Sequence, residues 1–351
     1  MICLNETVSP APITASVIVV TLDRPDCLKR CLHCLSQQTH SPVQTIVVDA
    51  SSDAKSHDVV EQFPGVAYMH NPAGYGHMTM SRNMGLVRAT GDVVAMIDDD
   101  SFATPTWLEN LVAPYADPTV GGVGGRAINS SNDQARVPTG EIGRLKPNGY
   151  LAANFSADPG RVIEVDHIVG CNMSFRRDVL GRLGGLRDDF PGTEVGEDTD
   201  ISLRVRKLGY RVVFNPAAVL LHVGAPQAKG KRFNIRYEFY HRRNNFLLLM
   251  RNFGPGSIVW RYLLRTSYDA FREAIRKIAG AVLRVAANFA GAAVGIGAGI
   301  AMLARNGRNP ARNDAEGRRI SEALTHVRAK MPTVDDIQSD LASPSAHREV
   351  F

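Results

Sequence analysis

The stretch Gly91-Asp92-Val93-Val94-Ala95-Met96-Ile97-Asp98-Asp99-Asp100 is an apolar run that stops abruptly on three carboxylates. A short apolar segment without alternation reads as a strand buried on both faces, the habit of a parallel sheet covered by helices. Adjacent carboxylates repel one another and add nothing to packing, so three of them closing a buried strand call for a counter-charge. A hard divalent cation, Mg²⁺ or Mn²⁺, would relieve the repulsion through oxygen ligation. The same cation could act as a Lewis acid toward a leaving diphosphate. The plain alternative is a solvated acidic turn ahead of a helix near Pro105.

Working outward, the first half alternates such runs with helical segments, the pattern of an α/β domain. Ser16–Thr21 and Thr45–Asp49 read as strands, the second ending on a carboxylate, and Gly65–His70 as a third. Pro25–Gln38, Asp53–Phe63 and Met78–Ala89 read as helices, with Pro25 suited to a first turn. Further on, Val162–Asp166 and Gly170–Phe175 are expected strands and Glu197–Leu208 an amphipathic helix. Val212–Phe214 and Ala218–His222 are expected as two short strands. The Gly-rich Gly121–Gly125 follows a helix instead of opening one, so it reads as a place of close strand approach and not as a phosphate loop. Residues 128–159 show little periodicity and read as a surface loop. Open α/β sheets bind ligands at the carboxyl ends of their strands, where Asp49, Asp98–Asp100 and the Thr21–Arg24 loop all fall.

Composition is that of an ordinary globular chain, 44% hydrophobic and 21% charged over 351 residues, with a net charge of +5. The charge is unevenly placed: Lys229 to Arg308 holds fifteen Lys/Arg against Glu238, Asp269 and Glu273. Such a segment suits acidic lipid or phosphorylated ligands. It lacks the interleaved aromatic platform of a nucleic-acid binder, so no nucleic-acid partner is expected. The five cysteines (Cys3, Cys27, Cys31, Cys34, Cys171) have no paired spacing, which points to free thiols in a reducing compartment. No secretory signal is evident at the N-terminus, so a cytoplasmic location is expected. Val285–Ala304 has Asn288 as its one strongly polar member and is long enough to span a membrane. Its Ala/Gly content and basic flanks favour an interfacial or helix-packing role, with Gly291, Gly295 and Gly299 spaced to pack another helix. A composition shift near 224–231 marks a boundary. The expected organisation is a tail at 1–14, a catalytic domain at 15–225, a helical basic and apolar extension at 226–308, and a polar tail at 309–351.

A second acidic group follows the first by about a hundred residues: Gly196-Glu197-Asp198-Thr199-Asp200. Acidic residues at a helix start are favoured by the macrodipole and need no function. Their separation from the first group, however, lets the two face each other across a cleft. A sugar hydroxyl is a poor nucleophile at neutral pH and needs a general base in hydrogen-bond reach, for which Asp198 is the candidate.

Together these motifs carry a resemblance. Val17–Thr21, Ile46–Asp49 with Ser51-Ser52, Ser81-Arg82-Asn83-Met84-Gly85, Gly91–Asp100, Gly170–Arg176 and Gly196–Arg204 occur in the order and spacing of the family-2 inverting glycosyltransferases. The chain resembles that family over residues 15–225, most closely its bacterial polysaccharide-biosynthesis members. The resemblance implies a GT-A fold, a mostly parallel central sheet flanked by helices. It implies that Thr21 and Asp49 meet the base and ribose of a nucleotide-diphospho-sugar, and that Arg82 meets its ribose or diphosphate. Asp98 would help hold the ribose, Asp100 would ligate the metal with His222 nearby, and Asp99 is assigned to the donor site without a defined role. Gly170 and Asn172 would let the donor sugar lie close to backbone, with Glu197 beside it and Asp198 as the base. The segment 237–250 is similar to one that lies near the cleft in those relatives, so Arg242 and Arg243 are candidates for a donor or lipid diphosphate; a solvated basic face is the alternative. Ala50 stands where many relatives carry Asn, which loosens inference about the base that is read. The implied reaction is inverting transfer to a hydroxyl of a glycan or lipid-linked sugar, at the inner face of the cell membrane. An anionic membrane surface and a second copy of the chain are further candidate partners. A nucleotidyltransferase on a related scaffold is the alternative activity, but Thr21–Asp26 lacks the Gly-rich triphosphate loop it needs. A non-catalytic nucleotide-sugar-binding scaffold is the other alternative.

Overall fold

The computed structural model describes residues 12–129, 140–190, 192, 195–224, 235–276 and 278–306. Most of the expected boundary at 224–231 and the whole tail at 309–351 lie outside them. In chain order the elements are β1 (Ala15–Thr21), α1 (Pro25–Ser36), β2 (Gln44–Asp49), α2 (Lys55–Val60), β3 (Val66–His70), α3 (Met78–Arg88) and β4 (Val93–Asp98). They continue with β5 (Ser101–Ala103), α4 (Trp107–Val112), β6 (Val120–Ile128), β7 (Arg144–Leu145), β8 (Leu151–Ala152), β9 (Ile163–Glu164) and β10 (Asn172–Arg176). Next come α5 (Arg177–Leu183), α6 (Glu197–Lys207) and β11 (Arg211–His222), then three helices, α7 (Ile235–Phe253), α8 (Ser257–Arg276) and α9 (Ile278–Asn306).

The main sheet has the order β3-β2-β1-β4-β10-β6-β11-β5, with β9 paired to β11. Strands β1 to β4 are mutually parallel, β10 runs against both β4 and β6, and β6 is parallel to β11. The continuous apolar runs resolve into two faces with period 2. Val17, Val19, Val47 and Ile97 meet Leu28, Leu32 and Trp107 on one side. Ile18, Ile46, Val94 and Met96 meet Phe175, Leu180 and Ile201 on the other. Both layers are buried, as the unbroken hydrophobicity of these strands requires. The expected α/β fold with a mostly parallel sheet is the observed one.

Topology gathers the ligand-facing ends. In register, Thr21 pairs with Asp49 and Val20 with Asp98, so β1, β2 and β4 finish side by side. Because β10 is antiparallel and opens at Asn172 opposite Ile97, the Gly170 turn reaches the same edge. β11 ends there too, and its pairing with β5 sets His222 opposite Ser101, one residue past the acidic cluster.

Two expectations are corrected. The short strands around 212–222 are one strand, kept continuous by an irregularity: its register with β6 shifts between Asn215 and Val219, and the Asn215 side chain accepts the Ala217 N–H at 3.1 Å. Pro216, which has no N–H to donate, sits inside this bulge. Residues 140–159 are not a surface loop throughout, since β7 pairs with β8 and Ile142, Phe155 and Ala157 are buried in the core. Aperiodic apolar residues gave no strand or helix signal, yet the sheet has room for them. The Gly121–Gly125 expectation fits the geometry: β-carbons there would lie 2.6 Å from Tyr210 at Gly121 and 2.2 Å from the Ala218 carbonyl at Gly125.

The C-terminal helices pack on the catalytic layer. Leu248 of α7 meets Phe190 and Leu203 of the α6 side. Asn252 donates to Asp200 at 2.9 Å, and Lys207 donates to Asn252 at 2.9 Å. The glycine stripe of α9 lies on α7 of the same chain: a β-carbon at Gly291 would meet the Phe239 carbonyl at 2.8 Å, and one at Gly295 the Phe246 side chain at 3.0 Å. Small residues there let the two helices approach closely.

Candidate active site

The acidic cluster splits into three environments. Asp99 is fully buried; its carboxylate accepts from Thr21 Oγ1 at 2.6 Å and Arg24 Nε at 3.0 Å, and it ion-pairs with the Arg24 guanidinium. Burial pushes its carboxyl up to about 7, with Asp98 and Asp100 adding to the rise and Arg24 and Thr21 opposing it. Asp99 thus ties the β1 loop to β4. Thr21, 4% exposed, is held by the same contact.

Asp98 and Asp100 point elsewhere. Their carboxylates and the His222 ring present one ligand atom each within 4.8 Å of one another. His222 Nε2 lies 3.5 Å from Asp100 Oδ1, while its Nδ1 meets Asn129 Oδ1 at 3.0 Å, an outer contact that orients the ring. Two carboxylates and an imidazole are a fitting set for a divalent cation. Asp100 also accepts from Arg24 Nη1 at 3.0 Å. The sequence reading placed Asp98 at the ribose; here it belongs to the same group as Asp100 and His222.

The second acidic group is joined to the first through Arg82. This guanidinium, 1% exposed on α3, donates to Glu197 Oε1 at 2.6 Å, to Asp98 Oδ1 at 2.9 Å and to the Gly170 carbonyl at 3.2 Å. Burial disfavours its charge, but Asp98 and Glu197 outweigh that and raise its pKa. Arg82 and Glu197 therefore form a buried pair that holds the N-terminus of α6 against the end of β4. Gly170 completes the link: its N–H donates to Asp198 Oδ2 at 3.0 Å, and a β-carbon on it would lie 3.3 Å from both Arg82 and Glu197.

Asp198, at the start of α6, is half-buried. Its Oδ1 accepts the Thr199 N–H at 2.6 Å. Oδ1 also accepts the Thr199 hydroxyl at 3.3 Å, while Oδ2 carries the Gly170 contact, and each carboxylate oxygen has two acceptor sites. Beneath it, the buried His167 meets Thr199 Oγ1 at 3.4 Å through Nδ1; burial lowers the His167 pKa against the opposing charge of Asp198. Between the two acidic groups lies Cys171, whose thiol is raised first by burial and then by the charges of Asp98, Asp100 and Asp198. The contacts of Asp98 with Arg82, Arg82 with Gly170 and Gly170 with Asp198 join the two groups at the sheet edge.

Other expected residues are used differently. Asp49 is fully buried, its carboxylate accepting the Ser51 N–H at 2.8 Å and the Tyr68 hydroxyl at 3.0 Å. Burial, reinforced by Asp49, pushes the Tyr68 phenol up to about 12. Asn172 is fully buried and clasps three segments: it accepts from Trp107 Nε1 at 2.9 Å and donates to the Arg126 and Ala218 carbonyls, each at 3.1 Å. Its side chain is a structural clasp. Arg242 faces α9, donating to Asn288 at 2.9 and 3.0 Å. Arg243 is half-buried near Arg251 and Asp189; burial first, then Arg251, lowers its pKa. Sequence reasoning overlooked Arg24, Tyr68 and His167. Arg24 had a signal, a lone cation in the β1 loop facing three carboxylates; the other two had none.

Comparison with known proteins finds similar sequences and a similar fold. A family model described as glycosyl transferase family 2 matches residues 16–184. A glucosyl-dolichyl phosphate glucuronosyltransferase of Haloferax volcanii is 28% identical over 238 residues, covering 64% of this chain and 71% of the relative. A pre-mycofactocin glycosyltransferase of Mycobacterium tuberculosis is 28% identical over 189 residues, covering 51% of this chain and 37% of that protein. The crystal structure of GalNAc-T7 with UDP, GalNAc and Mn²⁺ aligns with a TM-score of 0.52 at 14% identity, over 76% of this chain and 52% of that one. At that identity the likeness concerns the fold, which is the GT-A arrangement.

Proposed function

Residues 16–184 make this chain a member of glycosyl transferase family 2, and from that premise we propose that it catalyses inverting transfer from a nucleotide-diphospho-sugar to a hydroxyl of a glycan or lipid-linked acceptor. The observation that carries the reading is the pairing of a cation-fitting group, Asp98, Asp100 and His222, with a carboxylate, Asp198, held at the same sheet edge by Gly170. When bound, Mg²⁺ or Mn²⁺ at the first group would neutralise the departing diphosphate. Asp198 accepts the acceptor's hydroxyl proton as its oxygen attacks the anomeric carbon from the face opposite the diphosphate. The C–O bond to the nucleotide breaks as the new one forms, and configuration inverts in one step. No enzyme nucleophile is required. Thr199 and Gly170, donating to opposite oxygens of Asp198, fix the carboxylate's orientation. The Thr21–Arg24 loop and the Asp49 end of β2 border the region proposed for the nucleotide. Against a nucleotidyltransferase stands the commitment of Arg24, the cation of the β1 loop, to Asp99 and Asp100.

The test separates binding from chemistry. Thermal shift with UDP- and GDP-sugars, with and without Mn²⁺, should show cation-dependent stabilisation that Asp100→Ala removes. Asp198→Asn should keep that stabilisation while release of nucleoside diphosphate falls about 10²- to 10⁴-fold. Turnover at the parent rate in both variants would overturn the mechanism.

A further inference from the structure

Exposed apolar side chains are concentrated in the C-terminal helices. On α8, Trp260, Leu264, Tyr268 and Phe271 are 54, 71, 56 and 61% exposed. They recur at i, i+4, i+8 and i+11, one stripe of the helix, while Val259, Tyr262, Thr266 and Ala270 form its buried face. On α9, Phe289, Val294 and Ile300 are 49, 45 and 59% exposed, and the other exposed residues between 285 and 304 are Ala or Gly. The window Val285–Met302 has a mean hydropathy of 1.6, and 28% of it is buried. A helix face turned to water normally carries charge; this one carries none over roughly 28 Å of helix.

Among the described residues, the exposed charged side chains of α8 are positive. Arg261, Arg265 and Arg272 are exposed on α8 beside the aromatic stripe. Of the acidic residues on that helix, Asp269 is engaged by Tyr150 at 2.6 Å and Arg265 at 3.1 Å. A lipid surface bearing anionic headgroups complements both features, with Trp and Tyr suited to the depth where apolar and polar regions meet. A second copy meeting the first through the same face would set like rows of arginine against each other, because a two-fold interface joins a patch to itself.

We propose that the α8–α9 surface docks in the plane of an anionic membrane, with the aromatic stripe of α8 and the apolar face of α9 entering the headgroup region. Spanning is excluded by attachment: the opposite face of α9 lies on α7 through Gly291, Gly295 and the Arg242–Asn288 contact, and α7 is tied to Asp200 through Asn252. The helix therefore lies on the bilayer. Docking would set the helix that bears Asp198, joined directly to α7, close to lipid-borne acceptors. The surface and the catalytic reading are independent, and each can fail without the other.

The experiment uses the whole chain and vesicles of phosphatidylcholine, alone or mixed with phosphatidylglycerol, with no donor or metal present. Of the two tryptophans, Trp107 is fully buried and Trp260 is exposed, so a fluorescence blue shift and quenching by brominated lipid report on α8. The expected result is binding to the anionic vesicles, weakened about tenfold or more by Leu264→Ser with Phe271→Ser and by Arg261→Glu with Arg272→Glu. These side chains are exposed, and thermal melts of the variants check that folding is retained; brominated-lipid quenching in the parent chain needs no variant. Absence of vesicle binding, binding unchanged in both variants, or a dimer seen by light scattering that the serine variant disperses without any vesicle binding would each overturn the proposal.

Discussion

Replacing Arg82 with Leu removes a cation that lies between the two acidic groups. Its guanidinium is 1% exposed and contacts Glu197 at 2.6 Å and Asp98 at 2.9 Å, whose side chains are 6 and 20% exposed. A unit-charge pair about 4 Å apart at an effective dielectric near 20 is worth about 4 kcal/mol. Deleting one partner of a buried pair costs about 3–5 kcal/mol, because the other is left buried and uncompensated. Since a domain is stable by about 5–15 kcal/mol, Arg82→Leu should lose about a fifth or more of that margin. Urea unfolding of the ligand-free chain measures the loss as a fall in midpoint at constant slope. The double variant with Glu197→Gln supplies the internal control: much of the penalty is an orphaned carboxylate, so the two changes together should cost about 1–3 kcal/mol less than their sum. Because the same guanidinium holds Asp98 and the Gly170 carbonyl, cation-dependent thermal stabilisation should weaken as well. A single variant within about 0.5 kcal/mol of the parent, or strict additivity in the cycle, would refute the account of Arg82 as the link between the groups.

Asp200 is fully buried beside Arg187 and Arg204; burial would raise its pKa, but the two guanidiniums outweigh it and hold the carboxyl below its usual range. A depressed carboxylate contributes stability above its unfolded pKa of about 4, lost as pH falls through the folded value, so urea titrations should show an acid limb that Asp200→Asn flattens. The same substitution should cost about 3–5 kcal/mol near neutral pH. Asn172→Ala leaves Trp107 Nε1 and two carbonyls without their partner and should lower stability by about 1–3 kcal/mol, with donor affinity unchanged by calorimetry. Gly291→Val drives a side chain into the Phe239 carbonyl, 2.8 Å from the β-carbon position, and should raise hydrogen exchange in α9 at a cost of about 1–3 kcal/mol while leaving donor-induced stabilisation intact.

Strand identity was legible because it rests on local composition. Val93–Ile97 and Val17–Val20 are apolar at every position, which only a sheet buried on both faces accommodates, and Asp98 to Asp100 mark its ligand edge. The residues at that edge were legible as a set, while their individual jobs were not. Asp98, Asp99 and Asp100 look equivalent in the sequence; the alternating direction of side chains and the reach of Arg24 and Arg82 separate one buried anchor from two carboxylates available to a cation. Asn172 and Glu197 sit in motif positions that suggest ligand contact, and only the fold reveals that they also bond Trp107 and Arg82.

By itself the sequence determined the α/β class, the run of strands β1 to β4, and which carboxylates gather where those strands end, since hydrophobic runs and their punctuation are properties of neighbouring residues. Tertiary structure alone decided which of those carboxylates is neutralised within the protein. It also decided that the glycine stripe of α9 is filled by α7 and that the stripe on α8 stays uncovered. Those outcomes depend on contacts between residues far apart in the chain: Arg82 with Glu197, Gly170 with Asp198, Gly291 with Phe239. Partners of that kind are chosen by packing in three dimensions, and no local pattern records them.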